Sequence, residues 1–295
     1  GNSFEGAWQS ILSGSFLIER ESAMEGTCLP NWLKKRAELT PDRIAVIYNK
    51  QKYTFAQLYE KSLSLGGRLY EAGVREGDKV GLLQGNTLPM ILTIHACQQI
   101  GAEMVLLNIK LTPAELQWQM EDSGLKFLIT EKRYIESIDN RICRLLPIED
   151  LSTSSSDYRD FLKDEFNLGR TANIMYTSGT SGKPKGVIHS FGNHWWSAVG
   201  SMLNMGLSDK DRWLCSVPLF HISGLSILMR SVIYGITVVL HEKFDETEVN
   251  RSIREEEITI ISVVASMLTR MLKDLDEEGY PKTLRCVLLG GGPAP

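Results

Sequence analysis

From Ile44 onward, short apolar runs alternate with longer amphipathic stretches. Ile44–Tyr48 predicts a strand, Asn49-Lys50 a turn, and Lys52–Thr54 a return strand. Thr54 followed by Gln57 is a capping box, and Leu58, Leu63, Leu65 and Leu69 carry the helix on to Gly73. Lys79–Leu83, Met104–Leu107 and Phe127–Ile129 read as further strands. Between them lie a helix over Leu88–Ile100, closed by Gly101, and one opened by Thr112-Pro113-Ala114-Glu115 and ended by Gly124. From Ala172 the alternation resumes. Strands are predicted at Ala172–Tyr176, Gly186–His189, Trp213–Val217, Ile236–Leu240, Ile258–Val264 and Leu284–Leu289, with helices over 193–204, 225–234, 246–256 and 267–275. Strands that are apolar throughout, separated by helices of ten to twenty residues, imply an α/β fold whose parallel sheets are covered on both faces.

Residues 131–170 hold no firm period and read as a surface connection between two lobes. The expected division is a first α/β subdomain with its connection over 24–170 and a second over 171–295. Residues 1–23 fit neither period and read as a leader or an appended remnant, with Met24 as a natural start.

Composition narrows the function classes. The 295 residues are 43% hydrophobic and 23% charged, an ordinary globular balance, and the net charge of −4 offers no basic excess for nucleic acid. Lys34-Lys35-Arg36 and Glu255-Glu256-Glu257 read as solvated helix faces. No run of about 18 apolar residues occurs, so no membrane-spanning helix is expected. Five cysteines, none in a C-x-x-C pair, point to reduced thiols in a cytoplasmic protein. The five histidines have no zinc-ligand spacing; His189 and His194 would not share a helix face. No metal-ligating set is assigned.

The chemistry concentrates in Thr177-Ser178-Gly179-Thr180-Ser181-Gly182-Lys183-Pro184-Lys185-Gly186. Four hydroxyls, three glycines and two lysines sit between two apolar runs. Glycines let backbone N–H groups turn toward an anion, hydroxyls donate to phosphate oxygens, and lysine adds a mobile positive charge. A nucleotide-phosphate grip follows. The spacing is not that of the P-loop, because Gly182-Lys183 precedes Pro184 rather than Ser or Thr. A flexible polar loop is the competing reading, but Pro184 serves a defined bend better than a slack linker. Pro218-Leu219-Phe220-His221 lies at a strand end, where open α/β sheets bind ligands. His221 is either a pocket residue or a histidine tucked under a helix start. Gly290-Gly291-Gly292, also at a strand end, allows close approach of a flat ligand or makes a tight turn. The helix containing Asn193-His194-Trp195-Trp196 packs its tryptophans in the core or forms the wall of an aromatic-acid pocket. Arg230, in an apolar helix, either snorkels to water or turns into the cleft to pair with a carboxylate.

Tyr176–Gly186, Pro218–His221 and Gly290–Pro293, in that order, resemble three motifs of the acyl-adenylate-forming enzymes, from about Leu29 to the end. Ser181 stands where threonine is usual. Gly192–Gly200, Phe220–Ser226 and Leu289–Pro295 are most similar to the 2-succinylbenzoate–CoA ligase branch of menaquinone biosynthesis. The resemblance implies two stacked, mostly parallel sheets, and two half-reactions. A carboxylate attacks the α-phosphate of Mg-ATP to give an acyl-adenylate, and coenzyme A then displaces AMP. It assigns Thr177, Ser178, Gly179, Thr180, Ser181, Gly182 and Lys185 to the phosphates. His221 goes to the acyl carboxylate, with Lys185 and His221 as the catalytic pair. Gly290, Gly291 and Gly292 go to the adenine and acyl sites, and Ser223 and Arg230 to an aromatic carboxylic acid. ATP, Mg2+ brought with it, and coenzyme A are the implied small molecules. The family continues beyond the equivalent of Pro295 with an adenine motif, a ribose-binding aspartate and a small domain carrying a lysine. These residues alone are therefore expected to be truncated before that domain and to have little ligase activity. A sheet edge left unpaired there would allow a homo-oligomer. Another aryl or fatty acyl-CoA synthetase and a non-catalytic nucleotide-binding module remain alternatives.

Overall fold

A computed structural model describes residues 26–139, 141–151, 162–177 and 184–291. Fourteen strands and eight α-helices are described. The first half runs β1 (Cys28–Pro30), α1 (Trp32–Leu39), β2 (Ile44–Tyr48), β3 (Gln51–Thr54), α2 (Phe55–Glu71), β4 (Lys79–Leu83), α3 (Leu88–Ile100), β5 (Glu103–Leu106), α4 (Pro113–Ser123), β6 (Phe127–Thr130) and β7 (Arg144–Pro147). The second half runs β8 (Glu165–Asn167), β9 (Thr171–Thr177), β10 (Lys185–Ser190), α5 (Phe191–Met205), β11 (Arg212–Cys215), α6 (Ile222–Tyr234), β12 (Thr237–Leu240), α7 (Glu246–Glu255), β13 (Ile260–Val264), α8 (Ala265–Asp274) and β14 (Cys286–Gly290). The predicted capping boxes form: the Thr54 and Thr112 hydroxyls accept from the Gln57 and Glu115 amides, and both partner side chains return to the cap.

The strands make two six-stranded sheets, ordered β10-β9-β5-β4-β6-β7 and β14-β13-β11-β12-β2-β3, and a small β1–β8 pair. In each large sheet five strands are parallel and one edge strand, β10 or β3, is antiparallel. The division expected at residue 170 does not follow these sheets. The early pair β2–β3 joins the second sheet, and the late pair β9–β10 returns to the first. The stretch 131–170 also supplies an edge strand, β7, and the partner of β1. Local pattern identifies a strand but not its non-local mate.

The main core lies between the sheets. It joins Val80, Leu82, Met104 and Ile129 of the first sheet to Val46, Trp213, Val238 and Ile260 of the second through α2, α3 and α6. Eleven of the thirteen α3 residues are buried, which explains its lack of an amphipathic stripe. Leu116 and Met120 of α4 cover the outer face of the first sheet; Val249 and Ile253 of α7 and Met271 of α8 cover that of the second. Arg36, expected on a solvated face, instead turns inward. Its Nε donates to the Val232 carbonyl at 3.1 Å and a terminal nitrogen to that of Ile233 at 2.7 Å, while Arg43 reaches the Gly235 carbonyl at 3.0 Å. Two cations thus complement the C-terminal dipole of α6 and fix the helix that follows His221.

Candidate active site

The parallel strands of each sheet end on a common carboxyl edge, where α/β proteins place ligands. In the first sheet β9 ends at Thr177, and the β9–β10 register sets Thr177 opposite Lys185. Lys185 is exposed. Ser178, Gly179, Thr180, Ser181 and Gly182 lie outside the described residues. Just before Thr177, the Tyr176 hydroxyl donates to Asp122 of α4 at 2.6 Å, and its ring stands edge-on to Trp118 at 5.7 Å. Burial and that carboxylate hold the phenol well above its ordinary pKa, so it is a neutral anchor. The run after the motif, read as buried, is an edge strand: Val187 is 39% and Ile188 63% exposed.

In the second sheet, the chain leaving β11 turns through Pro218 to His221, whose N–H donates to the Pro218 carbonyl at 3.1 Å. His221 is the N-cap of α6, but its side chain makes no capping bond, and the residue is exposed. Partial burial, then the positive charge of Lys110, push its pKa down, and the ring is neutral at pH 7. Gly224 packs directly on this turn. A Cβ there would stand 2.2 Å from the Pro218 carbonyl oxygen, which only glycine avoids. Ser223 is exposed beside His221 in the first turn of α6, where unpaired backbone N–H groups favour an anion. β14 ends at Gly290, two strands along the same sheet from β11 and therefore about 10 Å away. A side chain at Gly290 would meet only open space, whereas Gly291 has φ +77°, a conformation that favours glycine. Gly292 lies outside the described residues.

The two carboxyl edges meet. Asn86, after β4 of the first sheet, hydrogen-bonds backbone groups of Val217 and Leu219 after β11 and of His241 after β12. Sequence reasoning overlooked this residue, which belongs to none of the three motifs.

Arg230 does not snorkel. One terminal nitrogen donates to Ser197 Oγ at 3.0 Å, the guanidinium lies 5.6 Å over the Trp213 ring, and the buried Nε has no hydrogen-bond partner. It borders a cavity of about 140 Å³ lined also by His189, Asn193, His194, Ser197, Ile222, Ser226 and Met229. Burial lowers its pKa from the ordinary arginine value, but a guanidinium stays charged. The histidines dismissed as unrelated in sequence converge here, with rings 6.0 Å apart. Buried Asn173 joins them, 2.6 Å from His194 Nε2 and 3.2 Å from His189 Nδ1. His189 stands on β10 opposite Asn173, and His194 on α5, so helical spacing was the wrong test. Burial, then the charges of His189 and Arg230, depress His194 to about 4. The cavity thus presents a lasting cation beside a neutral imidazole, suited to a carboxylate. The tryptophans of α5 do not form its wall. Trp195 stacks on Trp32 at 6.4 Å, and Trp196 is 56% exposed. Larger cavities, such as one of about 380 Å³ beside Leu65 and Ile148, touch none of these groups. Among the described residues no cluster of three His, Cys, Asp or Glu could hold a metal ion, and no helix is long and apolar enough to cross a membrane.

The profile of the AMP-binding enzyme family matches residues 33–295. This chain belongs to that family. Among its relatives, the 2-succinylbenzoate–CoA ligase of Geobacillus kaustophilus is 51% identical over 276 residues, covering 91% of this chain and 54% of that protein. That of Bacillus subtilis is 46% identical over 266 residues, covering 90% and 54%. The o-succinylbenzoate CoA synthetase of Bacillus subtilis with ATP and magnesium superposes with TM-score 0.86 at 45% identity, over 91% of this chain and 56% of that one. Its complex with the acyl-adenylate intermediate gives TM-score 0.85 at 45% identity, over 90% and 70%. The chain spans about half the length of the curated relatives it matches. Two stacked, mostly parallel sheets agree with the α/β architecture of this AMP-binding fold.

Proposed function

We propose that this chain supplies the adenylating half of an acid–thiol ligase that joins 2-succinylbenzoate to coenzyme A for menaquinone synthesis. The observation that carries the reading is the cavity at Arg230. It is lined by His189 of the strand that opens with Lys185 and by Ile222 of the helix that opens at His221, so a cationic acid pocket lies between the elements that carry both motifs. A carboxylate oxygen bonds to the α-phosphorus of ATP, the bond from that phosphorus to the bridging oxygen breaks, and pyrophosphate leaves. The coenzyme A thiolate then bonds to the acyl carbon, and AMP leaves. Thr177, Ser178, Thr180, Ser181 and Lys185 hold the phosphates, with backbone N–H groups at Gly179 and Gly182. Neutral His221, with Ser223 beside it, orients the attacking carboxylate without neutralising it. Gly290, Gly291 and Gly292 let the flat adenine and acyl groups lie against the backbone. Mg2+ fits as a phosphate-borne ion, since the described residues offer no carboxylate cage. Arg230 pairs with the second, aromatic carboxylate of the acid. A need for ATP and coenzyme A, with unpaired cysteines, supports a cytoplasmic setting.

The test is steady-state pyrophosphate release by the full-length protein. Arg230→Ala removes a charge-assisted hydrogen bond, so KM for 2-succinylbenzoate should rise roughly tenfold to hundredfold while KM for ATP stays put. An unchanged KM for the acid would remove Arg230 from the site. Thioesterification of simple fatty acids in preference to 2-succinylbenzoate would favour a broader acyl-CoA synthetase.

A further inference from the structure

The turn that carries His221 is gripped by a side chain from the other sheet. Val217 and Leu219 flank Pro218, which has no N–H of its own. A residue of a parallel strand would accept and donate across such a stretch, bonding one carbonyl and the amide two residues on. The Asn86 carboxamide does this with its side chain. Nδ2 donates to the Val217 carbonyl at 2.8 Å, and Oδ1 accepts from the Leu219 N–H at 2.8 Å. Nδ2 also reaches the His241 carbonyl at the end of β12, at 3.3 Å. Asn86 is only 5% exposed, so water does not compete for these bonds. Its own loop is fixed in turn. The Gly85 N–H donates to the Glu131 carboxylate at 2.7 Å, and the Thr87 hydroxyl caps α3.

We infer that Asn86 is a positioning residue for His221, acting across the two sheets through the backbone of the Pro218 turn. β4 and β9 share the carboxyl edge of the first sheet. Pinning the His221 turn to β4 therefore pins it in register with Thr177 at the end of β9. Asn86 touches no substrate; it sets where the imidazole stands relative to the phosphate-gripping motif. The inference rests on the proposed role of His221 in adenylation.

The experiment compares wild type, Asn86→Ala, Asn86→Asp and His221→Ala in pyrophosphate release by the full-length protein. Backbone amide exchange at Leu219 is followed alongside, and folding is checked by circular dichroism. Asn86→Ala should stay folded and lose roughly tenfold to hundredfold in kcat, the scale of an ångström-sized misplacement, with KM for ATP within about threefold. Leu219 exchange should quicken in the same variant. Asn86→Asp should be as impaired at pH 8 but recover relative to wild type as the pH falls toward 6. A protonated carboxyl can again donate to Val217 and accept from Leu219, and the facing carbonyls favour that form. A purely structural role would not produce this recovery. Wild-type kcat in Asn86→Ala, with His221→Ala inactive, would overturn the inference and leave the reading of His221 standing. Wild-type kcat in His221→Ala would overturn that reading and the inference with it. Should Asn86→Ala fail to fold, an Asn86→Asp to wild-type ratio that stays flat with pH overturns the inference.

Discussion

Replacing Gly224 by alanine sets two physical rules against each other. Gly224 sits in the first turn of α6, and helix propensity alone predicts that alanine stabilises the helix by up to about 1 kcal/mol. The close approach to the Pro218 turn predicts the opposite. The added Cβ would lie 2.2 Å from the Pro218 carbonyl oxygen, 2.6 Å from its carbon and 2.9 Å from the Leu219 nitrogen. These are backbone atoms, and reaching an ordinary contact near 3.4 Å requires a shift of more than 1 Å. The turn cannot yield cheaply. Pro218 accepts from the His221 N–H, and Asn86 holds Val217 and Leu219 on either side. Overpacking of this kind costs about 1–3 kcal/mol, and each buried hydrogen bond broken to relieve it adds about 1 kcal/mol. The net expectation is destabilisation by about 1–3 kcal/mol, lowering Tm by several degrees for a chain of this size. Because the displaced segment carries His221, pyrophosphate release should fall as well. Thermal melts of wild type and Gly224→Ala, followed by circular dichroism, decide the sign. A Tm equal to or above wild type would mean that the turn accommodates a methyl group, and the reasoning about its rigidity would fail.

Two further outcomes concern stability. His95 and His194 are buried and neutral, with pKa values pushed down to about 4 chiefly by burial, against 6.5 for a free imidazole. The unfolded chain therefore takes up protons first as the pH falls. Stability should be full above pH 6.5 and be lost toward pH 4, by about 2 kcal/mol per histidine at pH 5. Urea midpoints that do not move between pH 7 and 5 would contradict this. Asp211, with its side chain 1% exposed, accepts from Arg285 through both oxygens and from the Ser208 N–H and Thr259 hydroxyl. Arg285→Ala leaves that carboxylate buried without its counter-charge and should cost about 3 kcal/mol in urea titration. A loss below about 1 kcal/mol would show that water replaces the guanidinium.

What could be read from the sequence depended on the range of the interaction responsible. The capping boxes at Thr54 and Thr112 and the strand at Lys79–Leu83 were legible because their causes lie within a few residues. The membership of β2–β3 in the second sheet was not, because its mate β12 lies nearly two hundred residues away and every candidate strand is similarly apolar. The same limit acted within the site. His221 and Arg230 stood out by residue type in a patterned setting, yet the association of His189 with His194 required the β9–β10 register. Asn86 was invisible because an asparagine before a helix start reads as an ordinary turn residue. Arg36 was misread for a related reason. A basic run on a short helix looks solvated until the C-terminus of another helix, near Val232, is placed beneath it.

These long-range contacts have a common consequence for the site. α6 is held at both ends by residues distant in sequence. Arg36 and Arg43 hold its C-terminal carbonyls, and the Asn86-gripped turn holds its N-terminus. Between those ends, Arg230 is braced by Ser197 and Trp213. A helix fixed at both termini cannot slide along its axis without breaking bonds at one of them. The separation between the His221 imidazole and the Arg230 guanidinium is then a property of the scaffold rather than of a mobile loop. Under the proposed function, with a two-carboxylate acid of which one group is activated and one recognised, that fixed separation would measure the acid. Acids whose second carboxylate is missing or misplaced would lose the pairing at Arg230, whereas the phosphate motif on the first sheet would make no such distinction. On that proposal, selectivity for the acid would belong to α6 and its anchors, and capacity for the nucleotide to the β9–β10 pair.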